Sequence, residues 1–193
     1  LPGFKTHCKA CLVIRQESDG IRRYCHLATG NYNVRTAGVY SDLGLFTSRP
    51  SFGEDLTQLF NLLTGYTRPP GFHHLLLAPG GLREGLIERI RREADHARAG
   101  RAGRIIAKMN GLVDRRLIEE LYAASTAGVS IDLIVRGICA LKPGVAGVSE
   151  NIRVRSIIGR FLEHHRVFYF RSTESVLLSS ADWMDRNFFR RVE

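Results

Sequence analysis

Long apolar runs are absent from this 193-residue chain. Nothing approaches the ~18–20 consecutive apolar residues of a membrane-spanning helix, and no signal peptide is visible. Cysteine is sparse. Cys8, Cys11, Cys25 and Cys139 show no framework spacing, so buried free thiols in a reducing cytoplasm are expected. Cys8 and Cys11 sit in a β-like run whose alternation turns them to opposite faces. No Gly-x-x-x-x-Gly-Lys-Ser/Thr loop occurs, which excludes a P-loop kinase, and there is no kinase-like catalytic loop. His73, His74 and His96 have no partners at metal spacing, so no zinc site is expected. Acidic residues are in deficit, 19 against 28 basic, for a net charge of +9. Lysine is scarce too, because 24 of the 28 basic residues are arginine. Arginine makes planar, bidentate contacts with phosphate. The balance favours polyanionic partners: nucleic acid, a membrane surface or another phosphate polymer. A solvated surface accounts for many of these arginines, which sit on helices.

What is present begins with 44% apolar residues, enough for a sizeable core. The length allows one large domain or two small ones. The chain opens Leu-Pro-Gly without an initiator methionine and reads as an excised piece. Lys9 to Ile14 reads as a buried strand, Asp19-Gly20 as a hairpin turn, and Ile21 to Leu27 as the returning strand. Thr36 to Phe46 is expected to form a short helix. Gly53 to Leu63 has helical spacing at Leu56, Leu59, Phe60 and Leu63. Thr64 to Gly71 holds two prolines and two glycines, and the domain boundary is placed there, between 1–66 and 67–193. A βαβα series follows. Strands are expected at His74 to Ala78, Ile105 to Met109 and Ile131 to Val135. Helices are expected from Pro79-Gly-Gly to about Ala99, from an Asp114 cap to Ala127, and over Asn151 to Glu163. Pro143 to Val148 is a glycine-rich loop, and Val167 to Phe170 with Val176 to Leu178 is a strand pair. The alternation implies an α/β fold with a mixed sheet.

Four constellations carry chemistry. His7-Cys8-Lys9 stands at a strand entrance, where alternation puts His7 and Lys9 on one face. A histidine nucleophile beside a fixed cation suits attack on a phosphoryl group. Thr29-Gly30-Asn31 follows a strand, with glycine allowing close backbone approach and the polar groups able to bind oxygen atoms. The pattern then recurs: His164-x-Arg166 followed by Ser180-Ala181-Asp182 matches His7-x-Lys9 followed by Thr29-Gly30-Asn31. Two facing half-sites would supply one histidine as nucleophile and one as general acid. Arg136 ends the strand Ile131 to Val135, and Lys108-Met109-Asn110 ends the preceding one, where α/β sheets gather ligands.

Arg22 to Asn33 (R-R-Y-C-H-L-A-T-G-N-Y-N), Lys108 to Asp114, Leu133 to Gly137 and Leu178 to Met184 together resemble bacterial polyphosphate kinase of the first type. The similarity covers nearly the whole chain in motif order. It implies two phospholipase D-like α/β domains with mixed sheets, the first one truncated and the second cut short at its C-terminus. It implies reversible transfer of the ATP γ-phosphate to inorganic polyphosphate through a phosphohistidine, with Mg2+. The matching positions make His7 the nucleophile, His164 the general acid and His26 a supporting histidine, with Lys9 beside the nucleophile. Tyr40, Arg136 and His164 match nucleotide contacts, with Asn31 and Lys108 as further phosphate-site candidates. Metal ligands are expected upstream of Leu1 and none within this chain. The family usually has glycine where Ala28 stands. The expected partners are ATP, ADP and polyphosphate rather than nucleic acid, in a cytoplasmic homo-oligomer open to peripheral membrane association. The 193 residues alone are expected to be a poor or inactive enzyme.

Two other readings compete. A phospholipase D-like phosphodiesterase would use the same histidines. It should carry an aspartate five residues after Lys9, where Ile14 stands, and again near Phe170 or Arg171. A non-catalytic polyanion-binding module would use the arginine surface alone and leave the repeated histidine pattern unexplained.

Overall fold

A computed structural model describes residues 3–65 and 71–193. The first part of the chain runs β1 (Lys5–Thr6), β2 (Lys9–Glu17), β3 (Gly20–Ala28), α1 (Val34–Ala37), β4 (Tyr40–Ser41), β5 (Gly44–Thr47) and α2 (Pro50–Gly65). The second part begins with α3 (Leu82–Arg98), β6 (Arg104–Met109), α4 (Arg115–Thr126), β7 (Ser130–Val135) and β8 (Ile152–Arg155). It ends with β9 (Leu162–Glu163), β10 (Val167–Phe170), β11 (Ser175–Leu178), α5 (Asp185–Phe189) and β12 (Arg191–Val192).

The core lies in the second part. Its five-stranded sheet has the order β11-β10-β6-β7-β8, with β6, β7 and β8 parallel and β10 and β11 antiparallel. Alternation in β6 and β7 buries Ile105, Ala107 and Met109 beside Ile131, Leu133 and Val135. Helix α3 adds Leu82, Leu86, Ile87, Ile90 and Ala94 at helical spacing, and α4 adds Leu117, Leu121 and Ala124. Asp114 caps α4 by accepting the Leu117 N–H at 2.9 Å. The fold is α/β with mixed sheets, as the sequence pattern implies. In the first part, β2 and β3 form the hairpin predicted across Asp19-Gly20, and β5 adds to β3.

Five expectations fail. Lys9 to Ile14 is a strand but not a buried one, since Val13 and Ile14 are exposed on the hairpin. His74 to Ala78 is not a strand. The carboxylate of Asp55, fully buried in α2, accepts the N–H groups of His73, His74 and Leu75 at 2.8, 2.7 and 3.0 Å, satisfying the donors a neighbouring strand would have needed. Asn151 to Glu163 is not helical. Ile152 and Val154 alternate with Arg153 and Arg155, and this period of two lays β8 against β7. Thr36 to Phe46 holds only the end of α1, because Tyr40 and Ser41 extend to pair with β9 and Gly44 to Thr47 pair with β3. The thiols are free but not all buried, since Cys11 is exposed on the solvent face of β2. The linker expected at Thr64 to Gly71 falls largely on 66–70, outside the described residues.

The two parts repeat one another and are stitched together by the repeat. Strand β1 leads into His7 and pairs in parallel with β12, while β9 leads into His164 and pairs in parallel with β4. The His7 N–H donates to Val192 O at 2.9 Å, and the His164 N–H donates to Ser41 O at 3.1 Å. Just beyond, Ala10 faces Leu27 in β2–β3 and Val167 faces Leu178 in β10–β11. Each histidine therefore arrives on a strand bonded to the other part of the chain.

Candidate active site: two histidines braced across the repeat

The His7 ring is held by Glu193, which follows β12. His7 Nδ1–H donates to Glu193 Oε2 at 2.6 Å, and a carboxylate can only accept, so the proton sits on Nδ1. The Glu193 side chain is fully buried. Ser180 Oγ donates to the same Oε2 at 2.6 Å, and Asn187 Nδ2 donates to Oε1 at 2.5 Å. These bonds fix the carboxylate, the carboxylate fixes the ring, and Nε2 keeps its lone pair with no partner among the described residues. An imidazole so oriented has the geometry to act as a nucleophile.

The second histidine has the mirrored arrangement. His164 Nδ1–H donates to Asp42 Oδ1 at 2.7 Å, and Asp42 follows β4. Thr29 Oγ1 donates to the same oxygen at 2.9 Å. Thr29 lies 13 residues before Asp42, as Ser180 lies 13 before Glu193. In both halves a hydroxyl holds a carboxylate, and that carboxylate holds the histidine of the other half. Gly30 is required here, because a Cβ at that position would overlap the Asp42 carboxylate. Expected to let the backbone approach a ligand, this glycine instead makes room for Asp42.

The halves differ in their cations. Arg166 is buried and donates through Nε and Nη2 to both oxygens of Asp182, at 3.1 Å each. Its Nη1 donates to His164 Nε2 at 2.8 Å. Burial lowers the His164 pKa, and the Arg166 charge lowers it further against the pull of Asp42. Lys9 is also buried, yet its Nζ has no hydrogen-bond partner among the described residues. Burial pushes its pKa down to about 8, with Glu193 opposing and Arg166 assisting. Lys9 feels the charge of Glu193 from one half-site and of Arg166 from the other, and its own charge helps lower the His164 pKa.

The other expected residues divide into two groups. Arg136 donates from Nε to Asn110 Oδ1 at 2.9 Å, and the Asn110 N–H donates to Asp182 Oδ1 at 2.7 Å. Arg136 is thus tied to the His164 cluster with its two Nη groups unpaired among the described residues. Tyr40 packs its ring on His164 with centroids 4.9 Å apart. Lys108 turns elsewhere, to Glu163 Oε2 at 3.1 Å and His165 Nδ1 at 3.0 Å. His165 thereby leaves the site to His164, in keeping with the spacing to Arg166. Asn31 is exposed on its turn. His26 lies apart, its ring between Tyr32 and Phe46 at 5.5 and 4.2 Å, with Nδ1 bonded to the Tyr32 hydroxyl at 2.8 Å.

Sequence reasoning reached Asn110 through the strand end Lys108-Met109-Asn110 but missed Asp42 and Glu193. The one available signal was the equal spacing from Thr29 to Asp42 and from Ser180 to Glu193. Lys9, Ser180 and Glu193 also border a cavity of about 460 Å³, but apolar side chains, leucine the commonest, wall most of it and neither His7 nor His164 lines it. The carboxylates of the site are all committed: Asp42 to His164, Glu193 to His7 and Asp182 to Arg166. Among the described residues no group of three or more His, Cys, Asp or Glu is arranged to hold a metal. These residues do not fit a magnesium ion, which needs free oxygen ligands. Among the same residues no helix is long and apolar enough to cross a membrane.

Family models for polyphosphate kinase C-terminal domain 1 and C-terminal domain 2 match residues 1–69 and 75–193. A polyphosphate kinase of Synechocystis is 60% identical over the whole chain, which covers 27% of that protein. A polyphosphate kinase of Mycobacterium avium is 58% identical, again over the whole chain and 26% of its own length. The crystal structure of polyphosphate kinase from Porphyromonas gingivalis superposes with a TM-score of 0.90 at 40% identity, over 99% of this chain and 30% of that one. The chain spans about a quarter of the length of these curated relatives.

Proposed function

The chain belongs to the polyphosphate kinase family, in its C-terminal domains, and we propose that it carries the phosphohistidine site of an ATP:polyphosphate phosphotransferase. The carrying observation is the crossed bracing of His7 and His164, with Nε2 of His7 alone left free. The boundary between the two catalytic domains is proposed at 66–67.

In the forward direction His7 Nε2 attacks the γ-phosphorus of ATP. A P–N bond forms as the bond to the β,γ-bridging oxygen breaks, and the electron pair leaves on ADP. Glu193 accepts the Nδ1 proton's hydrogen bond throughout and stabilises the positive charge that builds on the ring. Lys9 offsets charge on the transferring phosphoryl oxygens, and Arg136 offers its free Nη groups to the nucleotide phosphates. An anionic substrate raises the pKa of His164 and competes for Arg166, so His164 can carry a proton to the departing ADP oxygen. A terminal oxygen of polyphosphate then attacks phosphorus, the P–N bond breaks, and the pair returns to Nε2. Tyr40 packs on His164 and would sit beside the nucleotide. His26 supports the hairpin and touches no reacting group. Magnesium, required by the resemblance, would come with the nucleotide or from residues outside this chain.

The test uses a chimera in which these 193 residues replace the matching segment of the Synechocystis relative. Incubation with γ-labelled ATP should yield phosphohistidine at His7 by mass spectrometry and extend polyphosphate. Label on another residue, or hydrolysis of a phosphodiester without nucleotide, would count against the proposal. The 193 residues expressed alone should show little or no synthesis.

A further inference from the structure

The phosphotransfer steps use Lys9, ask Arg166 only to release His164 Nε2 while it stays on Asp182, and give Asp182 no role. We infer that Asp182 is a positioning residue, and that the difference between Asn31 and Asp182 decides which of two repeat-related cations is free to meet the transferring phosphate. The inference rests on the phosphotransfer reading above.

Lys9 and Arg166 occupy equivalent places, each two residues after a braced histidine. Asn31 and Asp182 are likewise equivalent, each two residues after a bracing hydroxyl. At Asp182 the carboxylate takes Nε and Nη2 of Arg166 in a two-pronged bond. Arg166 spends Nη1 on His164, through Nε2 at 2.8 Å and the backbone oxygen at 2.9 Å. Four of the five guanidinium N–H donors are thus committed, and the charge is matched by a carboxylate. The same Asp182 Oδ1 takes the Asn110 N–H, and Asn110 in turn holds Arg136. One carboxylate therefore sets the orientation of two arginines and the ring of His164. Its own place is rigid, because Trp183 is fully buried and its carbonyl accepts the N–H groups of Val113 and Asp114, both at 2.9 Å.

In the other half the amide of Asn31 brings no charge, and Lys9 Nζ stays unpaired among the described residues. An arginine neutralised by a two-pronged carboxylate, with four of its five donors committed, is held back from a phosphoryl group as it transfers. An unpaired lysine on a flexible stem can move onto it. The Asx residue of each half thus makes one cation a fixed support and leaves the other as the working charge.

The test uses the same chimera with three variants: Asp182→Asn, Asn31→Asp, and the paired replacement Arg166→Met with Asp182→Leu. Asp182→Asn should lower kcat about 100-fold through misplacement of His164 and Arg136. KM for polyphosphate should hold or fall, since a released guanidinium adds ground-state attraction. Loss of folding alone would not produce that split. Asn31→Asp should draw the Lys9 ammonium onto the new carboxylate and repel the anionic substrate, raise KM for polyphosphate at least about tenfold, and slow phosphohistidine formation at His7. The paired apolar variant should keep its melting temperature within a few degrees, because removing both partners spares an unpaired buried charge, yet lose kcat to a similar extent as Asp182→Asn. Wild-type kcat in the paired variant, or unchanged KM in Asn31→Asp, would overturn the inference. If Asp182→Asn fails to fold, the other two variants decide. Labelled His7 with unaffected variants sinks this inference alone, whereas an unlabelled parent chimera sinks the phosphotransfer reading beneath it.

Discussion

The half-site around His7 is open and the one around His164 is closed, although one repeated frame builds both. Each has a strand leading to a histidine, a hydroxyl holding a carboxylate, and that carboxylate holding the other half's ring. The difference lies in what faces Nε2. At His164 a buried arginine occupies it, and at His7 nothing does among the described residues. Repetition supplies symmetric scaffolding, and a few charge changes within it close one ring and leave the other open. The crossed bracing also means that neither half is complete alone, since Asp42 serves His164 and Glu193 serves His7.

The sharpest way to break this comparison is to remove the open histidine. In the chimera, His7→Ala should abolish phosphohistidine labelling, while His26→Gln should leave it in place. Equal loss from both would undo the distinction between them. Next come the crossed carboxylates. Glu193→Gln and Asp42→Asn should each cost about 10²-fold or more in kcat, since a mis-set imidazole loses most of its acid–base or nucleophilic advantage. Glu193→Gln should also slow labelling of His7, whereas Asp42→Asn should act mainly on ADP departure, seen as a changed pH–rate limb. Matching effects on labelling would mean the halves are not specialised.

A smaller effect follows from Lys9. Its folded-state pKa is lowered to about 8, mainly by burial. Below that pH the ammonium is present for phosphate, so KM for polyphosphate should rise as pH climbs through about 8, and Lys9→Met should flatten that rise. Stability runs the other way. Between about 8 and the ordinary lysine range the unfolded chain binds a proton that the folded chain does not, so stability attributable to Lys9 increases with pH in that window. Chemical denaturation of the parent and Lys9→Met at several pH values checks the sign. Least tied to chemistry is Asp55→Ala, which strands three backbone donors and should cost about 2–4 kcal/mol of stability, read as a lowered melting temperature with little change in KM.

Much of the fold and half of the site are legible in local pattern. Alternation in Arg104–Met109 and Ser130–Val135, with an Asp114 cap between, announces β6-α4-β7 because period and capping are local properties. The half-site repeat is legible because His-x-Lys or His-x-Arg and the later hydroxyl–small–Asx triplets are short and contiguous. The run from His74 to Ala78 misleads, because a carboxylate 19 residues upstream of His74 takes its N–H. Asn151 to Glu163 misleads because four residues of period-two pattern are hidden in a longer apolar spacing.

The order of amino acids alone is enough for the α/β class, the family, the paired histidines and the choice of His7, His164, Lys9 and Arg136 as candidates. All of these are carried by local pattern or contiguous motif. Which residue braces which is a property of the folded chain. Asp42 and His164 are 122 positions apart, and Glu193 and His7 are 186 apart. No spacing rule joins such pairs. They meet because β4 and β12 pair in parallel with the strands that deliver the histidines, which brings each carboxylate within reach of a ring N–H.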